Sequence, residues 1–171
     1  MVNPTLYVAS KNLSSWSFRP WIALRQAGVA FEERLILLDT PQTKSAIAPV
    51  SPSGRLPALV DGAVTVWDSL AILEYAAERF PDAKLWPKAQ DARAVARSVS
   101  AEMHAGFAAL RQHLPFHFAE RRKADVRATG VAEDLERILS LWNDCRTRFG
   151  HGGPFLFGGF CAADASSWST R

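Results

Sequence analysis

Three short segments hold the residue types best able to act on a ligand. The first, Asn12-Leu13-Ser14-Ser15-Trp16-Ser17-Phe18-Arg19-Pro20-Trp21, follows a short apolar run and opens a helical pattern. A helix start has backbone N–H groups without intrahelical partners and a partial positive charge. A hydroxyl placed there, from Ser14 or from Ser15, donates to an anion held above it. If that anion is a thiolate, the bond favours the charged form and lowers the thiol pKa from about 8.5. A drop of about two units corresponds to roughly 2.7 kcal/mol, which a charge-assisted bond and a helix terminus supply together. The same serines are good N-caps, and this segment alone is better read as a cap.

The second segment, Ser53-Gly54-Arg55-Leu56-Pro57-Ala58-Leu59-Val60, puts a proline at the entry to a strand. An X-Pro bond there is able to be cis, and the turn leaves the N–H and C=O of Leu56 to pair with an extended peptide. Taken alone, the segment is better read as an ordinary edge proline. The third, Trp67-Asp68-Ser69, begins another helix and offers a hydroxyl with free amides suited to a carboxylate. Other constellations carry less. His113 and His117 are four apart with Glu120 after them, but Pro115 breaks the helix that would align them as metal ligands. Gly150-His151-Gly152-Gly153-Pro154 follows a helical pattern rather than a strand, which excludes a dinucleotide loop.

The elements that must position these segments are readable from periodicity. Thr5 to Ser10 is a short strand. Spacing of Trp21, Leu24, Arg25 and Gly28 predicts a helix over 16–28, with Gly28 suited to its stop. Phe31 to Leu38 is a second strand, and 40–54 has room for at most a short helix. Asp61-Gly62 between two apolar runs, Ala58-Leu59-Val60 and Ala63 to Trp67, predicts a hairpin with a type I′ turn. From Ser69, Leu70, Leu73, Ala77 and Phe80 line one helix face. The order β-α-β-(α)-β-β-α implies a four-stranded mixed sheet flanked by helices. Residues 81–90 carry two prolines and no periodicity and read as a linker between a domain at 1–80 and another at 91–171. Beyond it, Val95, Val99, Met103, Phe107, Leu110 and Leu114 predict one long amphipathic helix. Leu135, Ile138, Leu139, Trp142, Cys145 and Phe149 predict a second, so this half is all-α.

Composition narrows the classes. The chain has 171 residues, 48% of them hydrophobic and 22% charged, ordinary values for a globular protein. Its net charge of +3 is spread among acids, and the densest basic run, Arg121-Arg122-Lys123, is flanked by Glu120 and Asp125, so a nucleic-acid stripe is not expected. No apolar run approaches the roughly 18 residues of a membrane span, nor the form of a signal peptide. Two cysteines, Cys145 and Cys161, are too few for a disulfide framework and fit a reducing compartment.

Taken together and in this order, the segments resemble the glutathione S-transferase family. Ser14-Ser15-Trp16-Ser17-Phe18-Arg19 is similar to the serine motif of zeta-like bacterial members, Leu56-Pro57 to the cis-proline segment, and Asp68-Ser69 to the acidic-Ser pair. The match runs over about residues 5–165. The resemblance implies an α/β plus all-α architecture, with an N-terminal thioredoxin-like domain and a C-terminal helical bundle. It implies glutathione as co-substrate, no metal, a cytoplasmic homodimer, and neither nucleic acid nor membrane as partner. Ser14, with Ser15 as second choice, would hold the thiolate. Leu56 and Pro57 would meet the cysteinyl backbone, Asp68 and Ser69 the γ-glutamyl end, and Gln42 or Lys44 the glycyl carboxylate. Trp16, His104 and Phe107 would line the pocket for a small, electrophilic, apolar partner.

Two departures stand out. Zeta isomerases read Ser-Ser-Cys where Trp16 stands, which argues against maleylacetoacetate isomerase activity. The segment Phe160-Cys161-Ala162-Ala163-Asp164-Ala165 is similar to the family's Ser/Thr-x-x-Asp capping box, with cysteine at the cap, and the chain stops at Arg171 within two turns of it. Residues 166–171 lack an apolar face. A C-terminal truncation, apolar stripes left bare in the helical half and a marginal second domain are therefore expected. Transfer of glutathione to an electrophile is the leading expectation. The alternatives are a non-catalytic binding remnant and a glutathione-dependent isomerase or lyase.

Overall fold

A computed structural model describes residues 3–120 and 126–167. The basic run at 121–123 and the terminal residues 168–171 lie outside them. The chain divides into two compact units, Met1–Leu85 and Trp86–Arg171. The division falls within the segment 81–90, where Pro81–Ala83 forms one turn of 3-10 helix.

The first unit runs β1 (Thr5–Val8), α1 (Ser15–Gln26), β2 (Glu32–Leu35), α2 (Thr43–Ile47), β3 (Ala58–Asp61), β4 (Val64–Trp67) and α3 (Ser69–Arg79). The sheet order is β2-β1-β3-β4, with β1 parallel to β2, β1 antiparallel to β3, and β3 antiparallel to β4. This is the four-stranded mixed sheet that the element order implies. Leu6 and Val8 of β1 and Ala58 and Leu59 of β3 are buried, together with Phe18 and Leu24 of α1 and Ile72 and Leu73 of α3. Removal of that apolar surface from water is the main force holding the unit together.

Local signals explain the boundaries. Gly28 takes φ +68°, its N–H reaches the Arg25 carbonyl at 3.1 Å, and Val29 N–H reaches Leu24 at 3.0 Å. That pair of bonds is a Schellman ending, for which glycine carries no Cβ penalty. The hairpin differs from expectation. Asp61 pairs with Val64, so the connection is Gly62–Ala63 and positive φ (60°) falls on Gly62 alone. A type I′ pair at Asp61-Gly62 does not form, because Asp61 continues the ladder. Before α1, the turn carrying Lys11 is fastened to β2: the Lys11 ammonium pairs with Glu33, whose other oxygen accepts Trp21 Nε1–H at 2.7 Å. Burial pushes the Glu33 carboxyl up, but these bonds and the charges of Lys11 and Arg25 outweigh it and hold it below the ordinary range.

The second unit contains α4 (Gln90–Ala105), α5 (Ala108–His113), α6 (Val131–Phe149) and α7 (Ala162–Ser167). The single long helix expected over 95–114 is two helices. Gly106 leaves helical geometry and Phe107 takes φ +62°, while the Arg111 guanidinium takes the carbonyls of Met103 and Gly106. The apolar repeat continues across the break, so periodicity does not reveal it. Val99, Met103, Phe107, Leu110, Val131, Ile138, Cys145 and Leu156 form one buried cluster. The stripes expected to be bare are thus largely covered by one another, although Leu139 is 54% exposed.

At the start of α7 the capping box keeps one half. Asp164 accepts the N–H of Cys161 at 2.9 Å and, from its other oxygen, the N–H of Leu156 at 2.9 Å. Burial raises the Asp164 pKa, and these donors only partly oppose it. Burial and the neighbouring Asp164 charge push the Cys161 thiol up to about 12, and burial raises Cys145 as well. Thiolate is the reactive form. Ellman's reagent at about pH 8 is therefore expected to label neither cysteine in the folded chain and both in denaturant; rapid native labelling would contradict this burial.

Candidate functional site

Register alone brings three of the chemistry-bearing segments together. Tyr7 of β1 lies opposite Ala58 of β3, and Ala58 lies opposite Trp67 of β4. These residues form one row across neighbouring strands, spaced about 4.8 Å apart. Just past Tyr7 the chain enters the turn to Ser14. Just before Ala58 stand Leu56 and Pro57, and just after Trp67 stand Asp68 and Ser69. Because β2 is parallel to β1, with Val8 opposite Leu35, the segment that leads to α2 departs from the same end. The polar groups are therefore gathered at the C-terminal ends of β1 and β4, on two helix N-termini that the fold packs side by side.

Ser14 is the N-cap of α1, with extended φ −111° and ψ 98°. Its Oγ accepts Ser17 N–H at 3.3 Å and donates to Ser17 Oγ at 3.3 Å. Its side chain is half-buried, whereas Ser15 at the first helical position is 8% exposed. Ser17, a residue that the sequence left without a role, is fully buried, and its Oγ accepts the N–H of Ala9 at 3.0 Å. The serine spacing at N-cap and N3 was the available signal. Trp16 is half-buried, with the guanidinium of the fully buried Arg19 4.4 Å from its ring centroid. That stacking restrains the indole.

The Leu56–Pro57 bond is cis, and Leu56 makes no backbone hydrogen bond among the described residues. Asp68 caps α3, accepting the N–H groups of Leu70 at 2.8 Å and Ala71 at 3.4 Å. It does so at φ +76°, a conformation that costs a non-glycine residue of order 1–3 kcal/mol and that collects at functional sites. Ser69 is 2% exposed, and its Oγ has no hydrogen-bond partner among the described residues. A buried hydroxyl without a partner is rare and calls for a reason. The Leu70 and Ala71 amides are thus taken by Asp68 rather than free as the sequence suggests, and what fits a peptide with a free carboxylate is the orphan Ser69 hydroxyl for the anion and Leu56 for the backbone. Gln42 caps α2 without a side-chain bond and Lys44 lies in its exposed first turn.

His104, on α4, and Phe107, at the α4–α5 break, belong to the second unit, where Phe107 packs in the buried cluster. Among the described residues no group of three His, Cys, Asp or Glu side chains is arranged to hold a metal. No described helix is long and apolar enough to cross a membrane.

A four-stranded mixed sheet whose helix starts and cis proline meet at one end is the thioredoxin-like arrangement. Residues 13–79 match the family model of the glutathione S-transferase N-terminal domain. Over these residues the chain is similar to that domain of the glutathione S-transferases. It is 35% identical over 97 residues to a probable maleylacetoacetate isomerase from Caenorhabditis elegans, a match covering 57% of this chain and 44% of that protein. It is 40% identical over 83 residues to glutathione S-transferase Z1 of Arabidopsis thaliana, covering 48% of this chain and 38% of that one. The chain thus spans less than half the length of the curated relatives it matches. Among solved structures it is similar to a glutathione transferase homologue from Burkholderia GL BGR1 with bound glutathione, with TM-score 0.69 and 26% identity over 97% of this chain and 79% of that one.

Proposed function

We propose that this chain binds glutathione at the C-terminal ends of β1 and β4, and conjugates it through its sulfur to a small, electrophilic, largely apolar compound. The observation that carries the reading is the row Tyr7–Ala58–Trp67, which gathers the Ser14, Leu56 and Ser69 segments at one end of the sheet. In this reading Ser14 Oγ–H donates to the thiolate, and its half-exposed position favours it over buried Ser15. Leu56 pairs with the cysteinyl backbone, beside Pro57. Asp68 and Ser69 receive the γ-glutamyl end, and Gln42 or Lys44 the glycyl carboxylate. The sulfur lone pair forms the new C–S bond while the electrophile's leaving group departs with its bonding pair. Trp16, half-buried and two residues after Ser14, is proposed to border the pocket of that second substrate. A homodimer and a cytoplasmic setting belong to the same proposal.

The orphan hydroxyl gives the test. Ser69→Ala removes a donor for the carboxylate, and the expected result is an increase of about tenfold in the Kd for glutathione by calorimetry. The same change removes a buried, unsatisfied group, so the denaturant midpoint is expected to hold or rise. An unchanged Kd would count against this assignment.

A second reading, cis–trans isomerisation with glutathione as a true cofactor, is favoured by the matched relatives named maleylacetoacetate isomerase. Trp16 in place of the cysteine of the zeta isomerases weighs against it. Comparing turnover of a halogenated aromatic electrophile with isomerisation of maleylacetoacetate separates the two.

A further inference from the structure

We propose that Ser17 is a positioning residue for the thiolate, the middle link of a hydrogen-bond chain running from the backbone after β1 to sulfur. The proposal rests on the reading of Ser14 given above. Ser17 is fully buried, so it acts through Ser14 rather than on a ligand. Its Oγ is held from behind by Ala9 N–H at 3.0 Å and faces Ser14 Oγ at 3.3 Å.

A hydroxyl has one donor and two acceptor lone pairs, and its proton turns to suit its surroundings. The geometry suits donation from Ser14 O–H to Ser17 Oγ. A thiolate above Ser14 is a stronger acceptor than a neutral hydroxyl and draws that proton to itself. Ser17 O–H then turns onto Ser14 Oγ, so every bond points one way: Ala9 N–H to Ser17, Ser17 O–H to Ser14, Ser14 O–H to sulfur. Each donor is polarised by the one behind it, which strengthens the last bond. Ser14 Oγ also retains the Ser17 N–H at 3.3 Å, so its position holds while its proton reorients. A separation of 3.3 Å is long for two hydroxyls, and catalytic hydrogen bonds tighten when the charge they serve is in place. No covalent bond changes along the chain.

Ser17→Thr and Ser17→Val have the same shape and differ in the hydroxyl, so packing effects cancel between them. The readout is the thiol pKa of glutathione bound to the full chain, by ultraviolet difference titration, with the Kd for glutathione at acid pH measured alongside. The valine variant is expected to raise that pKa by about half a unit relative to the threonine variant, roughly a threefold loss of thiolate below the pKa, with Kd unchanged. Equal values in the pair would overturn the proposal. Should the branched pair not fold, Ser17→Ala against the unmodified chain gives the same comparison. Ser14→Ala distinguishes the failures: if it raises the bound thiol pKa and the Ser17 pair does not differ, only the relay falls, and if it does not, the reading of Ser14 falls with it.

Discussion

Ser14→Ala is expected to lose about a hundredfold in kcat/KM for conjugation near neutral pH, while the Kd for glutathione shifts by less than about threefold. The magnitude follows from the thiol. Holding it about two units below 8.5 takes roughly 2.7 kcal/mol, and the hydroxyl at the N-cap is the donor that supplies most of it. The same chemistry fixes the sign with pH. A thiol that has lost its stabilising donor still ionises in alkali, so the deficit shrinks as pH rises past about 8.5. The variant also loses the Ser17 N–H acceptor, which costs the fold about 1 kcal/mol through the cap. Ser15→Ala serves as the control, since that hydroxyl is buried at the first helical position. A Ser14→Ala chain with full activity across the pH range would remove Ser14 from the mechanism.

Asp164→Ala is expected to produce the largest loss of stability, about 3 kcal/mol by denaturant unfolding of the second unit. The carboxylate accepts two backbone N–H groups at 2.9 Å, from Leu156 and Cys161, and the substitution leaves both without that acceptor. Asp164→Asn keeps one acceptor oxygen and is expected to cost about half as much. The pH dependence has a definite direction. Because burial raises the folded pKa of Asp164 above its unfolded value, its contribution is fully present below the unfolded pKa and is lost as pH rises through the folded one. The asparagine variant removes that slope. Asp164→Ala unfolding at the same denaturant concentration as the unmodified chain would show that the α7 start does not hold the unit.

The sheet-bearing half was more legible in the sequence than the helical half, for physical reasons. Strand alternation, the Gly28 stop and the helix start at Ser69 are set by residues a few positions apart, so they survive without tertiary information. The Asp61-Gly62 turn was misplaced by one residue because the length of the ladder, not the turn pair, decides where a strand ends. The break at Gly106 and Phe107 was invisible, since the apolar repeat crosses it and the Arg111 guanidinium that takes the freed carbonyls is unreadable from spacing. Covering of the helical stripes depends on the approach of α4 and α6, which one-dimensional periodicity cannot report. At the candidate site, the serine motif marked the segment that opens α1. It did not separate Ser14, half-exposed at the cap, from Ser17, buried behind it, because both lie on one turn of one helix. The orphan state of Ser69 Oγ was likewise a property of its surroundings rather than of its neighbours in sequence.

A crystal structure of the chain with glutathione tests the central assignment most directly. The expected result places the sulfur within hydrogen-bond distance of Ser14 Oγ, with the γ-glutamyl carboxylate on Ser69 and the cysteinyl backbone paired to Leu56. Sulfur seated away from Ser14 would contradict it, most plainly with Ser69 Oγ still without a partner.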